Sequence, residues 1–213
     1  MRQLFGRVFM DGKNIYTVNS VSGTKIYGER LIRKDREYRE WDPTRSKLAA
    51  AILNGAKTEI GENSIILYLG ASTGTTVSHV SDIIQKGLVY ALEFSDTVFH
   101  SLLKLTEKRN NIAPLFADAR KPENYRWLEE CDIVYCDIAQ PDQTEIAIRN
   151  CIFLKKGGYL FLAIKSQSID VTKKPEYVYE QEKDKLEKAG FTVIETINLE
   201  PYEHDHAMII ARK

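Results

Sequence analysis

Four charged residues each follow an apolar run short enough to be a strand: Glu93 after Leu88-Val-Tyr-Ala-Leu92, Asp118 after Pro114-Leu-Phe-Ala117, Asp137 after Val134-Tyr-Cys136, and Lys165 after Leu162-Ala-Ile164. His206 opens one further run. An acidic residue closing a strand can accept hydrogen bonds from both hydroxyls of a ribose, which suits Glu93. Asp118 suits an adenine amino group, and Asp137 with the lysines suits proton transfer. Taken singly, each has an ordinary use: a helix-capping aspartate, a solvent-facing lysine, a histidine packed beside Tyr202. Their joint placement along one edge of a sheet points to a site.

A glycine loop precedes these residues. Ile65-Ile-Leu-Tyr-Leu69 is a near-continuous apolar run, the chain turns through Gly70 and Gly74, and apolar residues resume at helical spacing with Val77, Val80 and Ile84. Strand, loop and helix in that order bring backbone N–H groups and a helix N-terminus up to a ligand. Glycine serves where a Cβ would block the ligand or the turn. The nicotinamide fingerprint G-x-G-x-x-G is absent, because position 72 is Ser. A wider loop with two glycines favours a nucleoside cofactor without a pyrophosphate, such as S-adenosylmethionine. The plain alternative is a tight strand–helix turn that holds no ligand.

The elements that must position these groups alternate from Ile65 onward. Strands are expected at 65–69, 88–92, 112–116, 133–136, 159–164, 191–198 and 206–211. Helices are expected at 75–85, 96–109, 142–154 and 175–189, with Pro122 to Leu128 also helical and Lys156-Gly157-Gly158 turning into the strand at 159. Such alternation implies an α/β fold with a doubly wound, mostly parallel sheet, with ligands beyond the C-terminal strand ends. The last two runs lack an intervening helix and are expected to pair antiparallel. Residues 1–40 differ: short β-branched runs (Leu4 to Met10, Ile15 to Val18, Lys25 to Tyr27) alternate with the turn signals Asp11-Gly12 and Ser22-Gly23. They read as a small N-terminal antiparallel β domain before a larger domain at 41–213. The charged stretch Arg30 to Arg39 reads as a solvated edge. In Asp42-Pro-Thr-Arg-Ser-Lys47 and the alanine-rich stripe after it, a helix starts near Pro43 to Ser46 and ends at Asn54-Gly55. Lys47 then falls in a first turn, where the helix dipole disfavours a cation. That misplacement points to a role elsewhere.

Composition bounds the partners. The chain has 213 residues, and 43% are hydrophobic, enough for a packed core with one α/β domain and a small extra unit. Lys+Arg and Asp+Glu both number 30, so contact with nucleic acid must come from a local patch or a partner protein. Cys131, Cys136 and Cys151 show neither C-x-x-C nor metal spacing, and read as reduced, buried thiols of a cytoplasmic protein. No metal site is expected. No run is long enough for a membrane span, and no signal-peptide core opens the chain.

Several strings carry a family likeness. Gly70-Ala-Ser-Thr-Gly-Thr-Thr76, Glu93-Phe94, Ala117-Asp-Ala119, Asp137-Ile-Ala-Gln-Pro141, Ile164 through Lys173, and Leu199-Glu-Pro-Tyr-Glu-His-Asp-His206 resemble the fibrillarin family. Its members are the methyltransferases of box C/D small ribonucleoproteins. The resemblance reaches back through Trp41-Asp-Pro-Thr-Arg-Ser-Lys47 and so covers essentially the whole chain. Asp-x-Ala-Gln-Pro and Pro-Tyr-Glu-x-Asp-His are not shared by methyltransferases at large. The arginine- and glycine-rich tail of the eukaryotic proteins is missing, so the likeness is to the archaeal type. Ser72-Thr73 departs from commoner family versions of the loop.

The resemblance implies a Rossmann-like class I methyltransferase fold with a mostly parallel seven-stranded sheet behind a small antiparallel β domain. It implies S-adenosylmethionine as cofactor, held by Gly70, Ala71, Thr73, Gly74, Thr75, Thr76, Glu93, Phe94, Asp118, Ala119, Asp137, Ile138, Ala139 and Gln140. It implies 2'-O-methylation of ribose in rRNA or tRNA, at positions chosen by a box C/D guide RNA. The particle would be completed by a Nop-family scaffold protein and a kink-turn binding protein. The zero net charge agrees, since an enzyme that bound RNA strongly alone would carry a basic excess. By likeness to the Lys-Asp-Lys-acid tetrads of related RNA ribose methyltransferases, the catalytic group is Lys47, Asp137, Lys165 and His206. Lys47 orients the ribose, and either Asp137 or Lys165 accepts the hydroxyl proton. Two cations side by side would lower a lysine pKa. His204, two residues from His206, competes for the last place. The rival readings are a methyltransferase acting on a protein side chain or small molecule, and a non-catalytic particle subunit. Retention of Glu93, Asp137 and both lysines argues against the second rival.

Overall fold

The computed structural model describes residues 1–213. Short β-branched runs near the start form β1 (Arg2–Phe5), β2 (Val8–Asp11), β3 (Asn14–Val18), β4 (Leu31–Arg33) and β5 (Glu37–Trp41), an antiparallel sheet in the order β1-β2-β3-β5-β4. Leu4 to Met10 is two strands rather than one, because the chain turns at Gly6 with φ +42°. Asp11-Gly12 makes the expected hairpin, with Gly12 at φ +61°. Lys25 to Tyr27 forms no strand. The backbone N–H groups of Ile26 and Tyr27 donate to the Glu29 carboxylate instead, at 3.0 and 2.9 Å.

The stretch from Arg30 to Arg39 is not simply a solvated edge. Arg39 is fully buried, ion-paired to Glu29 at 2.8 Å and to Asp82 at 2.7 Å, and Asp82 also accepts from Arg109 at 2.7 Å. Charge composition cannot foresee this, because Asp82 lies 43 positions from Arg39 and comes beside it only in the folded chain. His79 completes the cluster, stacked on Trp41 at 4.8 Å and bonded to Thr17 and Tyr27, both at 2.8 Å. Burial holds the His79 imidazole well below its usual pKa, with the charges of Arg39 and Arg109 acting in the same direction.

The chain continues through α1 (Lys47–Leu53), β6 (Ile65–Leu69), α2 (Thr75–Ile83), β7 (Leu88–Glu93), α3 (Asp96–Thr106), β8 (Ile112–Phe116), β9 (Cys131–Cys136), α4 (Gln143–Asn150), β10 (Leu154–Lys165), α5 (Ser166–Ile169), α6 (Pro175–Lys188), β11 (Thr192–Asn198) and β12 (His206–Arg212). The seven-stranded sheet runs β11-β12-β10-β9-β6-β7-β8, and β12 alone is antiparallel to both its neighbours. Three expectations shift. The helix expected at 142–154 ends at Asn150, a 3-10 turn follows over Cys151–Phe153, and Leu154 already opens β10. Pro122 to Leu128 is only a 3-10 turn over Pro122–Tyr125. Lys156-Gly157-Gly158 lies within β10, where the register against β9 shifts between Leu154 and Tyr159. The glycines are therefore an irregularity inside a paired strand, a common reason for glycine in a sheet.

Side chains alternate between the two faces of this sheet. Ile66, Tyr68, Tyr135 and Phe161 pack toward α1 and α2 together with Val8, Ile15 and Trp41 of the N-terminal sheet. Leu67, Leu69, Val134, Cys136 and Leu160 pack toward the face covered by α4 and α6. Cys131, Cys136 and Cys151 are free and buried, and burial pushes the Cys131 and Cys151 thiols up to about 12, which keeps them protonated and unreactive. No helix is long and apolar enough to cross a membrane.

Candidate active site

Strand order reverses beside β6: the chain moves outward to β7 and β8, then crosses back to place β9 on the other side. Such a switch point opens a crevice beyond the C-terminal strand ends. Gly70 leaves β6 and Asp137 leaves β9 at this crevice. Gly70 has φ +82°, and a Cβ on it would overlap the carbonyl oxygen of Asp137. The backbone N–H groups of Gly70 and Ala71 both donate to the Leu92 carbonyl, at 3.0 and 2.9 Å, which bends the loop over β7. Gly74, at φ +86°, opens α2, and a Cβ there would overlap the Leu105 side chain.

Glu93 organises the same edge. Its carboxylate accepts from the backbone N–H groups of Ser72 at 2.8 Å, Phe94 at 2.9 Å and Ser95 at 2.8 Å. It thereby clasps the glycine loop, where Ser72 takes an uncommon φ of +50°, and fixes the approach to α3. A carboxylate has about four acceptor positions, so capacity remains for a ligand hydroxyl.

The crevice is a cleft of about 350 Å³, within the range of small-molecule sites. Gly70, Glu93, Phe94, Asp118, Ala119, Asp137, Ile138, Ala139 and Gln140 line it, as the sequence reading places them together. Five expected residues do not line it. Ala71, Gly74 and Thr76 are buried, and Thr73 and Thr75 line a different groove on the far side of the loop. Ser72, Leu92, Arg120 and Ile146 also line the cleft, beyond the residues expected from sequence. Arg120 had a detectable signal, two residues past Asp118 at a strand end. Its Nε donates to Asp118 Oδ1 at 3.0 Å and its Nη2 to Oδ2 at 2.9 Å, which holds the Asp118 carboxyl below the usual carboxylate range. The same guanidinium lies 5.8 Å from the Phe94 ring centroid, so Asp118, Arg120 and Phe94 form one wall.

Asp137, which lines the cleft, accepts at Oδ1 from Lys47 Nζ at 2.8 Å. The cation in the first turn of α1 thus has a long-range partner. Ser46, the N-cap, accepts from Ala49 N at 3.4 Å and from Thr76 Oγ1 at 2.9 Å, tying the start of α1 to α2. Burial pulls the Lys47 pKa down, but the Asp137 charge and hydrogen bond outweigh it, and the net direction is upward. Lys47 therefore stays an ammonium.

Lys165 ends β10, the parallel neighbour of β9, and pairs in register with His206 of β12. Opposite residues of an antiparallel pair share a face. Of the two competing histidines, His206 is the one on the strand. His204 lies in the preceding turn, exposed, with Nδ1 2.8 Å from Glu200. His206 Nδ1 lies 2.6 Å from the His204 carbonyl oxygen. A carbonyl only accepts, so Nδ1 carries the proton and Nε2 keeps its lone pair in the neutral ring. Burial lowers the His206 pKa, opposed by that carbonyl bond and reinforced by the Lys47 charge. No cluster of metal-ligating side chains is present.

Residues 1–213 match the Fibrillarin family model. The chain belongs to the fibrillarin family. It is 51% identical over 218 residues to the fibrillarin-like rRNA/tRNA 2'-O-methyltransferase of Saccharolobus islandicus, covering 100% of this chain and 94% of that one. A crystal structure of Aeropyrum pernix fibrillarin with natively bound S-adenosyl-L-methionine is 47% identical, with a TM-score of 0.86 over 93% of this chain and 88% of that one. Fibrillarin from a fibrillarin/Nop5p complex is 40% identical, with a TM-score of 0.92 over 99% of both chains. Membership of the family accounts for the strings from Gly70 to Thr76 and from Asp137 to Pro141, which flank the switch point.

Proposed function

We propose that this protein methylates the 2'-hydroxyl of ribose in rRNA or tRNA, using S-adenosylmethionine, at positions selected by a box C/D guide RNA. It does so as the catalytic subunit of a particle with a Nop-family scaffold and a kink-turn binding protein. The observation that carries the reading is the shared use of Asp137: it lines the cleft and is ion-paired to Lys47. A cofactor site and a proton-handling pair therefore meet at one carboxylate. The relatives' activity supports the ribose substrate, and the fibrillarin/Nop5p complex supports the scaffold.

The cleft suits the cofactor. Glu93 and Asp118 supply acceptors at one end, Phe94, Ala119, Ile138 and Ile146 supply apolar walls, and the Asp137 carboxylate suits a sulfonium cation. When bound, the cofactor supplies an electrophilic methyl group on a leaving thioether that needs no acid. The protein's task is alignment and the weakly acidic hydroxyl. Holding donor, methyl carbon and acceptor in line is worth up to roughly 7–11 kcal/mol. A positioned base adds about 10²–10⁴-fold. Lys47, kept cationic by Asp137, orients the ribose. Asp137 takes the hydroxyl proton, or Lys165 does so from its neutral amine form, and neutral His206 offers Nε2 opposite Lys165.

The test is reconstitution of full-length protein with guide RNA, scaffold and kink-turn protein, measuring labelled methyl transfer to a guide-matched RNA. Transfer at one ribose, lost with a mismatched guide, is the expected result. Guide-independent methylation of a protein or small molecule would replace this reading, and cofactor binding without any transfer would make the protein a non-catalytic subunit.

A further inference from the structure

A groove between the N-terminal sheet and α3 is lined by Lys25, Arg45, Lys104 and Lys108 and by no carboxylate. Other grooves balance their charges: Lys155 meets Asp132 in one, and Lys185 meets Glu182 in another. None of the four cations forms an ion pair within the chain. All four are exposed; Lys104 is in the last turn of α3, and Lys108 lies in the turn just past its end. The Arg45 guanidinium lies over the Tyr27 ring, 5.2 Å from its centroid, which holds it extended into the groove. In a chain of zero formal net charge, this local excess is invisible in the composition.

Two chain segments connect the groove with the reacting groups. Arg45 is two residues before Lys47, and Thr73 and Thr75 line the groove from the same loop whose Gly70 and Ser72 line the cofactor cleft. Unneutralised cations in a row bind phosphates through counterion release, and phosphate contacts set the register of a strand without reading its bases. We infer that this groove is the track for the phosphates of the target strand beside the modified ribose, with Arg45 the contact nearest the reacting hydroxyl. The inference rests on the ribose-methyltransferase reading above. It accounts for an enzyme that leaves sequence choice to base pairing and still needs one ribose held against Lys47 and Asp137.

The test uses assembled particles carrying the full-length protein with Lys104→Glu and Lys108→Glu together, or with Lys25→Glu. Lys156→Glu with Lys188→Glu, both exposed and outside the groove, matches the charge change of the double variant, and Lys188→Glu alone matches that of Lys25→Glu. Single-turnover transfer to a matched target should slow about tenfold or more in the double variant. The log–log salt dependence should flatten by about one unit for each phosphate that is no longer neutralised. Cofactor titration and melting should match wild type, and Lys104→Arg with Lys108→Arg should restore both rate and slope. Wild-type rates in the reversals, or an equal defect in the charge-matched controls, would overturn the inference. Loss of scaffold binding in the reversals would overturn it too, because the groove would then be a protein interface. If wild-type particles transfer no methyl, the underlying reading fails and this one with it. Normal wild-type transfer with unaffected variants removes the groove alone.

Discussion

Lys47 and Asp137, ninety positions apart in the chain, form a 2.8 Å ion pair, and Asp137 lines the cleft at the switch point. The lysine comes from the first turn of α1 and the aspartate from the end of β9, so the pair joins the start of the larger sheet's first helix to the switch point. Lys165 and His206, cross-strand partners on β10 and β12, stand at the same edge.

Lys47→Ala and Lys165→Ala are each expected to lower single-turnover methyl transfer by about 10²-fold or more. Cofactor affinity should change little, since neither residue lines the cleft. Melting should shift by the equivalent of about 1 kcal/mol or less for the partly exposed Lys47–Asp137 pair. Rates near wild type in both variants would remove the lysines from the chemistry.

Glu93→Ala should weaken cofactor binding by about 1.5–3 kcal/mol, the cost of losing hydrogen bonds to a charged acceptor. It should also lower Tm, because the backbone N–H groups of Ser72, Phe94 and Ser95 lose their shared acceptor. Calorimetric titration and melting read the two effects separately. A lowered Tm with undiminished affinity would leave Glu93 as a loop clasp only.

His206 gives a pH signature. Its folded-state pKa is lowered, chiefly by burial, so the unfolded chain takes up the proton first as pH falls. The contribution is fully present above about pH 6.5, the ordinary imidazole value, and is lost progressively below it. Melting between pH 7.5 and 5 should therefore fall more steeply for wild type than for His206→Gln. Parallel curves for wild type and His206→Gln would contradict the burial argument.

The buried ionic cluster should dominate stability. Asp82 is fully buried and accepts from Arg39 and Arg109, both at 2.7 Å. Asp82→Ala leaves two buried guanidinium groups short of an anion and is expected to cost about 3–5 kcal/mol in denaturant unfolding. A loss under about 1 kcal/mol would mean that water enters and solvates the arginines.

Much of this protein is written in local patterns. Continuous apolar runs between helical stripes imply a parallel sheet covered on both faces, since only such a sheet buries both sides of a strand. Gly70 and Gly74 mark the loop because each takes a positive φ against a neighbour that excludes a Cβ. Glu93, Asp118, Asp137 and Lys165 are legible as strand-end residues, and parallel strands bring their ends to one edge. What sequence could not decide is which charges meet. Arg39 reads as one more surface cation until Glu29 and Asp82 enclose it. Lys47 reads as a misplaced cation until Asp137 pairs with it. His206 is separated from His204 only by where β12 begins, and Thr73 and Thr75 from the strand-end cleft only by the way the loop bends over β7. Periodicity records which face a residue takes within its own element, whereas charge pairing depends on distances between elements, and those exist only once the chain has folded.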